Sequence, residues 1–127
     1  MTIRNSEHFL SQIWDWGFLD DCFGKTKIKV SDIEGIVERH GNFLVIECKS
    51  HNASVPKGQQ IMHDNMVKTG LFIVLLIWGE PNKPERLQIL WNSAGQIKQK
   101  KISPASLNDI HDLVCRWFNY ADTRSFS

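Results

Sequence analysis

The segment between residues 43 and 49 joins an apolar strand pattern to two charged side chains. It reads Phe43-Leu44-Val45-Ile46 and then Glu47-Cys48-Lys49. Because side chains alternate between the two faces of a strand, Glu47 and Lys49 point to one face and Cys48 to the other. A carboxylate and an ammonium group therefore share one small volume at the end of a strand that is otherwise suited to a core.

Asp32 supplies a second carboxylate. We predict that residues 28–39 form a first pair of strands and that the turn His40-Gly41-Asn42 brings Asp32 beside Glu47. Two carboxylates about 4 Å apart repel by about 4 kcal/mol at an effective dielectric near 20. A divalent cation would relieve this repulsion, and Mg²⁺ favours one or two carboxylates together with water and substrate phosphate. The backbone carbonyl of Cys48 would add a further oxygen ligand.

Lys49 has a chemical task beside such a cation. Its ammonium group can orient or deprotonate an attacking water, or offset the charge that develops on a phosphate in the transition state. The alternative is a structural ion pair at a strand end. Exposed pairs stabilise by only about 0 to 1 kcal/mol, so charged groups at the edge of an apolar strand favour the catalytic interpretation.

The elements that hold these residues follow from the hydrophobic pattern. In chain order we predict an amphipathic helix over 6–18, a strand pair within 28–39, an interior strand over 43–48, a helix over 59–69, a strand over 71–78, a hairpin of 86–91 with 96–102, and a last helix opened by Ser103-Pro104. A strand, a helix and a strand in succession predict a parallel crossover. The sheet should therefore be mixed and flanked by helices.

Length and composition favour one soluble domain spanning residues 1–127, and the succession of strands and helices makes it an α/β domain. Hydrophobic residues make up 42% and charged residues 23% of the chain, values typical of globular proteins. The net charge of +1 means that any nucleic-acid contact must come from a local patch. Three widely spaced cysteines without zinc spacing favour a reducing cytoplasm. The apolar run over 71–78 is too short to cross a membrane.

Two groups of lysines are candidates for contacts with a phosphate backbone. Lys25, Lys27 and Lys29 alternate, so on a strand they would form one basic row, with Lys57 added from the loop beside the site. The alternative is a solvated strand face. The same two interpretations apply to the lysines of the hairpin, which are Lys98, Lys100 and Lys101.

Aromatic and thiol side chains are interpreted mainly as packing groups. We expect a buried position for four tryptophans, which are Trp14, Trp16, Trp78 and Trp117. Trp91 beside the hairpin turn either packs or stacks on a base. Cys48 and Cys115 are expected to be small buried hydrophobic residues.

The motifs and their order resemble those of the PD-(D/E)XK nuclease superfamily, especially its small phage and Holliday-junction-resolvase-like members. The resemblance lies in Ser31-Asp32-Ile33-Glu34-Gly35, in Glu47-Cys48-Lys49 and in Gly58-Gln59-Gln60. It extends from the first helix through the strand over 71–78. It implies a restriction-endonuclease-like αβββαβ core, with Asp32 and Glu47 as metal ligands and Lys49 as the catalytic lysine.

The resemblance also implies roles for residues outside the central motif. Gln59, at the start of the following helix, matches a glutamine found at the active site in some subfamilies; an exposed helix-start residue is the alternative. Glu7 matches an acid that some members contribute to the metal, although an acid in a first helical turn also suits the helix dipole. The sequence departs from the motif at Ser31, where the family has proline, and Glu34 is a second candidate acid. His63, one helical turn after Gln59, is interpreted as facing solvent.

Together these features predict a nuclease that hydrolyses DNA phosphodiesters with Mg²⁺ or Mn²⁺ in a phage-infected or bacterial cytoplasm. Branched or single-stranded DNA is the candidate substrate, and a homodimer would bring two such sites together. The alternative is a nucleic-acid-binding or assembly module that has the same fold and does not cut. Motifs of other hydrolases, such as a P-loop, a nucleophile elbow or HExxH, do not occur in the sequence.

Overall fold

The structure, a computed structural model, describes residues 13–124. The chain divides into two compact units, residues 1–32 and 33–127, and each is described by itself. The second unit holds a five-stranded mixed sheet and two α-helices. The predicted α/β class with a mixed sheet is therefore confirmed.

The second unit has two strands, a helix, three further strands and a last helix, in that order. The strands are β1 (Gly35–Arg39), β2 (Asn42–Lys49), β3 (Phe72–Glu80), β4 (Lys83–Ser93) and β5 (Gln96–Ile102). The helices are α1 (Lys57–Lys68), between β2 and β3, and α2 (Leu107–Thr123), after β5. The predicted interior strand, first crossover helix, next strand and hairpin are all present, with ends shifted by a few residues.

The strands follow one another in space as they do in the chain, in the order β1-β2-β3-β4-β5. Strands β2 and β3 are parallel, and the other three neighbouring pairs are antiparallel. Helix α1 makes the crossover that two parallel neighbours require. The carboxyl ends of β2 and β3 consequently lie at the same edge of the sheet, the edge that commonly carries binding sites in α/β proteins.

The sheet is covered on both faces, which explains why β2 and β3 are apolar on both sides. Beneath α2 the core consists of Leu44, Leu75, Leu87, Leu113, Trp117 and Ala121. Beneath α1 it consists of Val45, Val67, Val74, Leu76, Trp78 and Leu90. The expected burial of Trp78 and Trp117 is thus confirmed. Trp91 is half-buried beside Leu113 and Trp117 of α2, which favours packing over base stacking.

Helix α2 begins later than the sequence indicated. Ser103-Pro104 does not open it, because a capping box forms at Ser106. The Ser106 hydroxyl accepts a hydrogen bond from the Asp109 amide, and the Asp109 carboxylate accepts one from the Ser106 amide. These reciprocal bonds satisfy the amides of Ser106 and Asp109, and the helix starts at Leu107.

The N-terminal unit differs from the expectation. The predicted helix over 6–18 lies partly outside the described residues; residues 13–15 are not helical, and Trp16–Phe23 forms a 3-10 helix capped by Asp15. Trp14 and Trp16 are 66% and 36% exposed instead of buried. They stack on each other with 5.5 Å between ring centroids. Aromatic residues at helix-like spacing here form a local contact and not a core face.

The predicted strand pair over residues 28–39 is also wrong in its first half. Residues 28–33 have no regular structure, and only Gly35–Arg39 is a strand.

Within the described part of the chain, no helix combines the length and the apolar character that a membrane crossing demands.

Gly79 is required by the tight passage from β3 to β4. It has φ of +144°, and a Cβ there would lie 2.3 Å from the carbonyl oxygen of Lys83. We expect Gly79→Ala to lower the free energy of unfolding by roughly 3 kcal/mol, because the opposing atoms belong to the backbone. Urea denaturation measures this loss.

Gly95→Ala is the matched control. Gly95 also has a positive φ of 82°, but a Cβ there would have no neighbour within 4 Å. Gly95→Ala should therefore lower the free energy of unfolding by only roughly 1 kcal/mol, the cost of placing an alanine in the left-handed region. Equal losses in the two variants would contradict the steric argument at Gly79.

Candidate active site

Glu47 and Lys49 occupy one face at the carboxyl end of β2, and both contact α1. Glu47 is 3% exposed, and its Oε2 lies 3.2 Å from Nε2 of His63. The ammonium group of Lys49 donates a hydrogen bond to Oε1 of Gln59. The helix therefore provides one partner for each of the two charged strand residues.

These two contacts form together because the spacings of the strand and the helix match. Glu47 and Lys49 are two residues apart, which on a strand is about 6.6 Å. Gln59 and His63 are four residues apart, which on a helix is about 6.0 Å and on one face. Since the earlier helical residue meets the later strand residue, α1 runs antiparallel to β2.

His63 contradicts the expectation that it faces solvent. It is 1% exposed and lies on the face of α1 that carries the buried Val67 four residues later. A hydrogen bond to a carboxylate requires a proton on Nε2, so His63 is the donor to Glu47. The spacing of Gln59, His63 and Val67 at intervals of four was the signal for one buried helical face.

The loop between β2 and α1 is held over the same edge of the sheet. Trp78 at the end of β3 donates from its indole nitrogen to the carbonyl oxygen of Ala53, over 2.7 Å. Gln60 donates from its side chain to the carbonyl oxygen of Val55, over 3.0 Å. Gln60 therefore fixes the loop, whereas Gln59 contacts Lys49. Lys57 is exposed at the first position of α1.

Glu34 and Cys48 lie toward the other helix. Oε1 of Glu34 accepts a hydrogen bond from the backbone amide of Cys48, over 3.2 Å. Both residues line a cleft that also includes Lys49 of β2 and Leu107 and Ile110 of α2. Because Glu47 contacts α1, Glu34 does not duplicate its position.

The expectation of buried cysteines is wrong, since Cys48 and Cys115 are both exposed. Cys48 lies past Ile46, the last residue of β2 that packs against the core beneath α2. Its thiol nevertheless has a raised pKa. Partial burial is the largest cause, followed by the negative charge and hydrogen bond of Glu34 and then by the charge of Glu47.

The remaining predicted site residues belong to the N-terminal unit. Asp32 is exposed, and its Oδ1 accepts a hydrogen bond from the indole nitrogen of Trp16, over 3.3 Å. Its pairing with Glu47 stays a prediction, because the two residues belong to different units. The exposed lysines of this unit, which are Lys25, Lys27 and Lys29, are not on a strand, so the expected basic strand row is wrong. Glu7 lies outside the described residues.

Glu47 offers donor chemistry that suits a hard divalent cation. Carboxylate and carbonyl oxygens are the ligands that Mg²⁺ takes from proteins, usually one or two of them beside water and phosphate. Among residues 13–124, no group of three or more His, Cys, Asp or Glu side chains is arranged to hold a metal ion. The described residues therefore do not form a complete protein cage for a metal ion.

Comparisons of the chain with models of protein families, with curated proteins and with solved structures found no match.

The pairing of His63 with Glu47 has a measurable effect on stability. We expect His63→Ala to lower the free energy of unfolding by about 2 to 3 kcal/mol, because the buried Glu47 carboxylate loses its donor and a cavity remains. Urea denaturation measures the loss. Asn65→Ala, at an exposed position of the same helix, should change stability by less than about 0.5 kcal/mol. A loss no larger in His63→Ala than in Asn65→Ala would mean that the pair is not stabilising.

The environment of Cys48 predicts a change in thiol reactivity. With Cys22 and Cys115 replaced by serine, Glu34→Gln removes a negative charge and should lower the pKa of the Cys48 thiol. The thiolate is the reactive form, so alkylation by iodoacetamide at pH 8 should accelerate roughly threefold or more. The rate-against-pH curve should shift to lower pH.

Glu38→Gln is the control for this measurement. Glu38 lies near the other end of β1, where its carboxylate accepts a hydrogen bond from the Gly41 amide. Its replacement should leave the alkylation rate of Cys48 unchanged. An equal acceleration by both variants would indicate a general charge effect and not the contact with Glu34.

Proposed function

We propose that this protein is a divalent-metal-dependent nuclease that hydrolyses DNA phosphodiester bonds at the carboxyl end of β2. The observation that carries the proposal is the pair of contacts that fix Glu47 to His63 and Lys49 to Gln59 on one face of the sheet. A carboxylate and an ammonium group are thereby held side by side with defined orientations. Such preorganised charges are what hydrolysis of a phosphodiester requires.

The roles of the side chains follow from their charge and surroundings. Lys49, half-buried and held by a neutral amide, would stabilise the negative charge that develops on the phosphate or orient the attacking water. Gln59 would position Lys49 through its side-chain carbonyl. Glu47, fixed by His63, would present its carboxylate in one orientation.

Glu47 and the backbone carbonyl of Cys48 would hold the divalent cation, and the sequence motif assigns Asp32 as a further ligand. A bound Mg²⁺ or Mn²⁺ would supply charge neutralisation at the phosphate and lower the pKa of a ligated water. Asp32 enters this proposal from the motif. Asp32 and Glu47 belong to different units. Separate substitutions of the two residues therefore test their contributions one at a time.

A restriction-endonuclease-like core is part of the same proposal. Its support is the succession of β1, β2, α1 and β3, with an acid and a lysine at the end of β2 and a glutamine at the start of α1. The earlier elements of the expected αβββαβ order do not add support, since residues 28–33 are not a strand.

A non-cutting nucleic-acid-binding module is the second candidate. The observation that favours it is that Oε2 of the buried Glu47 is engaged by His63, as in a structural pair. Such a module would bind nucleic acid in the presence of a chelator, with an affinity that falls as salt rises, and would show no turnover.

Lys49→Ala is the variant that tests the nuclease. Wild-type protein with Mg²⁺ or Mn²⁺ should cut labelled single-stranded, duplex or junction DNA, and EDTA should stop the reaction. Lys49→Ala should lower the cleavage rate by about 100-fold or more, because it removes a charge that acts in the transition state. Gel analysis of the labelled products measures the rate.

Lys68→Ala is the matched lysine control, since Lys68 is exposed in the last turn of α1, away from Gln59. It should cut at the wild-type rate. Binding without cleavage of every substrate would refute the nuclease and favour the binding module. Equal rates for the two lysine variants would refute the role of Lys49.

A further inference from the structure

A polar cavity lies beside the candidate site, between α1 and the strands β4 and β5. Its volume is about 400 Å³, and His63, the partner of Glu47, forms part of its wall. Its polar lining residues are Gln60 and Asp64 from the helix side and Gln88, Gln99 and Lys101 from the strand side. Nothing in the proposed hydrolysis uses these side chains.

The strand register places this cavity in line with the candidate catalytic residues. Glu47 pairs with Leu76, Leu76 with Gln88, and Gln88 with Lys101. Paired positions on neighbouring strands share a face, so this row crosses the sheet on the α1 side. With about 4.8 Å between neighbouring strands, Lys101 lies about 14 Å from Glu47 along the row.

A second row of paired strand residues runs beside the first and ends at the cationic side chain of Arg86. Lys49 pairs with Trp78, and Trp78 pairs with Arg86. The guanidinium group of Arg86 lies 4.0 Å from the centre of a Trp78 ring, a cation–π contact that fixes the arginine over the sheet. A neighbouring cavity of about 390 Å³ includes Arg86 and Lys101 in its wall. Lys101 lines both cavities. The cationic side chains of Arg86 and Lys101 thus lie along one polar path that leads across the sheet away from Lys49.

The cavity presents hydrogen-bonding atoms that the protein itself leaves unused. Gln88 donates from its amide nitrogen to the side-chain carbonyl of Gln99. This bond leaves the side-chain carbonyl of Gln88 and the amide nitrogen of Gln99 without a partner among residues 13–124. Over the same range, Lys101 has no ion-pair partner. The cavity thus offers an acceptor, a donor and a positive charge in one small volume.

We propose that this cavity binds one nucleotide of a single nucleic-acid strand whose scissile phosphate lies at Lys49, an inference that rests on the proposed function. Lys101 contacts a phosphate, and the side-chain amides of Gln88 and Gln99 contact the edge of the base. Amide side chains suit this task because each offers a donor and an acceptor to a base edge. Asp64 repels phosphate on the helix side, so the phosphate lies toward Lys101.

The size of the cavity favours a single strand over a duplex. About 400 Å³ lies in the usual range of about 300 to 1,000 Å³ for small-ligand sites. A base can enter such a site only when it is unstacked and unpaired, which costs a duplex a few kcal/mol and a flexible strand much less. The polar path therefore selects single-stranded regions or the unpaired strands of branched substrates.

Binding in EDTA tests the cavity without any dependence on cleavage. The probes are a fluorescein-labelled single-stranded octathymidine and a labelled hairpin duplex, with fluorescence anisotropy as the readout. Wild-type protein should bind the single strand more tightly than the duplex. Lys101→Gln should weaken binding of the single strand about five- to tenfold and reduce the slope of log affinity against log salt by about 0.7, the value for one lost phosphate contact.

Lys100→Gln is the matched control, because the same charge is removed one residue away on the opposite face. Lys100 pairs with Ile89 and lies beside Trp117 and Tyr120 of α2. Its replacement should change the affinity by less than twofold. Gln99→Leu should weaken single-strand binding while the salt slope stays unchanged, because it removes an uncharged contact.

The outcomes separate this inference from the proposed nuclease. Equal effects of Lys100→Gln and Lys101→Gln, or no preference for the single strand, would overturn the cavity as the binding site, even if metal-dependent cleavage that requires Lys49 were present. Selective loss of binding in Lys101→Gln and Gln99→Leu would support the cavity. Such a loss in a protein that never cleaves would support it while refuting the nuclease.

Discussion

The hydrogen bond between the buried side chains of Glu47 and His63 fixes how α1 docks on the sheet. A carboxylate that is 3% exposed is costly to bury unless a donor reaches it, and His63 is the described residue that provides one. Displacing α1 by one turn along β2 would bring opposite Glu47 either Val67, which has no donor, or Gln59, which would then be lost to Lys49. The apolar contacts of Val45, Val67 and Val74 favour burial of the helix but are much less selective for its position.

The docking of α1 then determines the rest of the site. With His63 opposite Glu47, the helical and strand spacings place Gln59 opposite Lys49 without any further constraint. The loop before α1 is short, and Trp78 holds it by the carbonyl of Ala53. The other face is covered by α2, whose contacts with the sheet are mainly apolar. Polar chemistry is thus concentrated on the α1 side, where the helix start, the loop and the strand ends meet.

The parts of the fold that sequence could predict are those with a strong local signal. The apolar runs of β2 and β3, the intervening helix and the turn of the last hairpin all follow from periodicity and glycine, and the common face of Glu47 and Lys49 follows from alternation. Pro104 predicts an earlier start for α2 than the structure has, because the capping box at Ser106 determines where the helix begins. The N-terminal prediction failed because Trp14 and Trp16 satisfy helical spacing yet stack locally. The burial of His63 depends on a residue on another element, and no local pattern reports the bond itself.

The way in which the two charges are held bears on whether they can act on a substrate. Glu47 and Lys49 lie two residues apart on one face, yet within residues 13–124 the structure has no ion pair between them. Each is tied to α1 instead, the lysine by an uncharged amide. A salt bridge between the two side chains would have neutralised the positive charge of Lys49 within the protein. An amide fixes the direction of the ammonium group and leaves its charge uncancelled, so its field remains directed at whatever anion approaches the carboxyl end of β2.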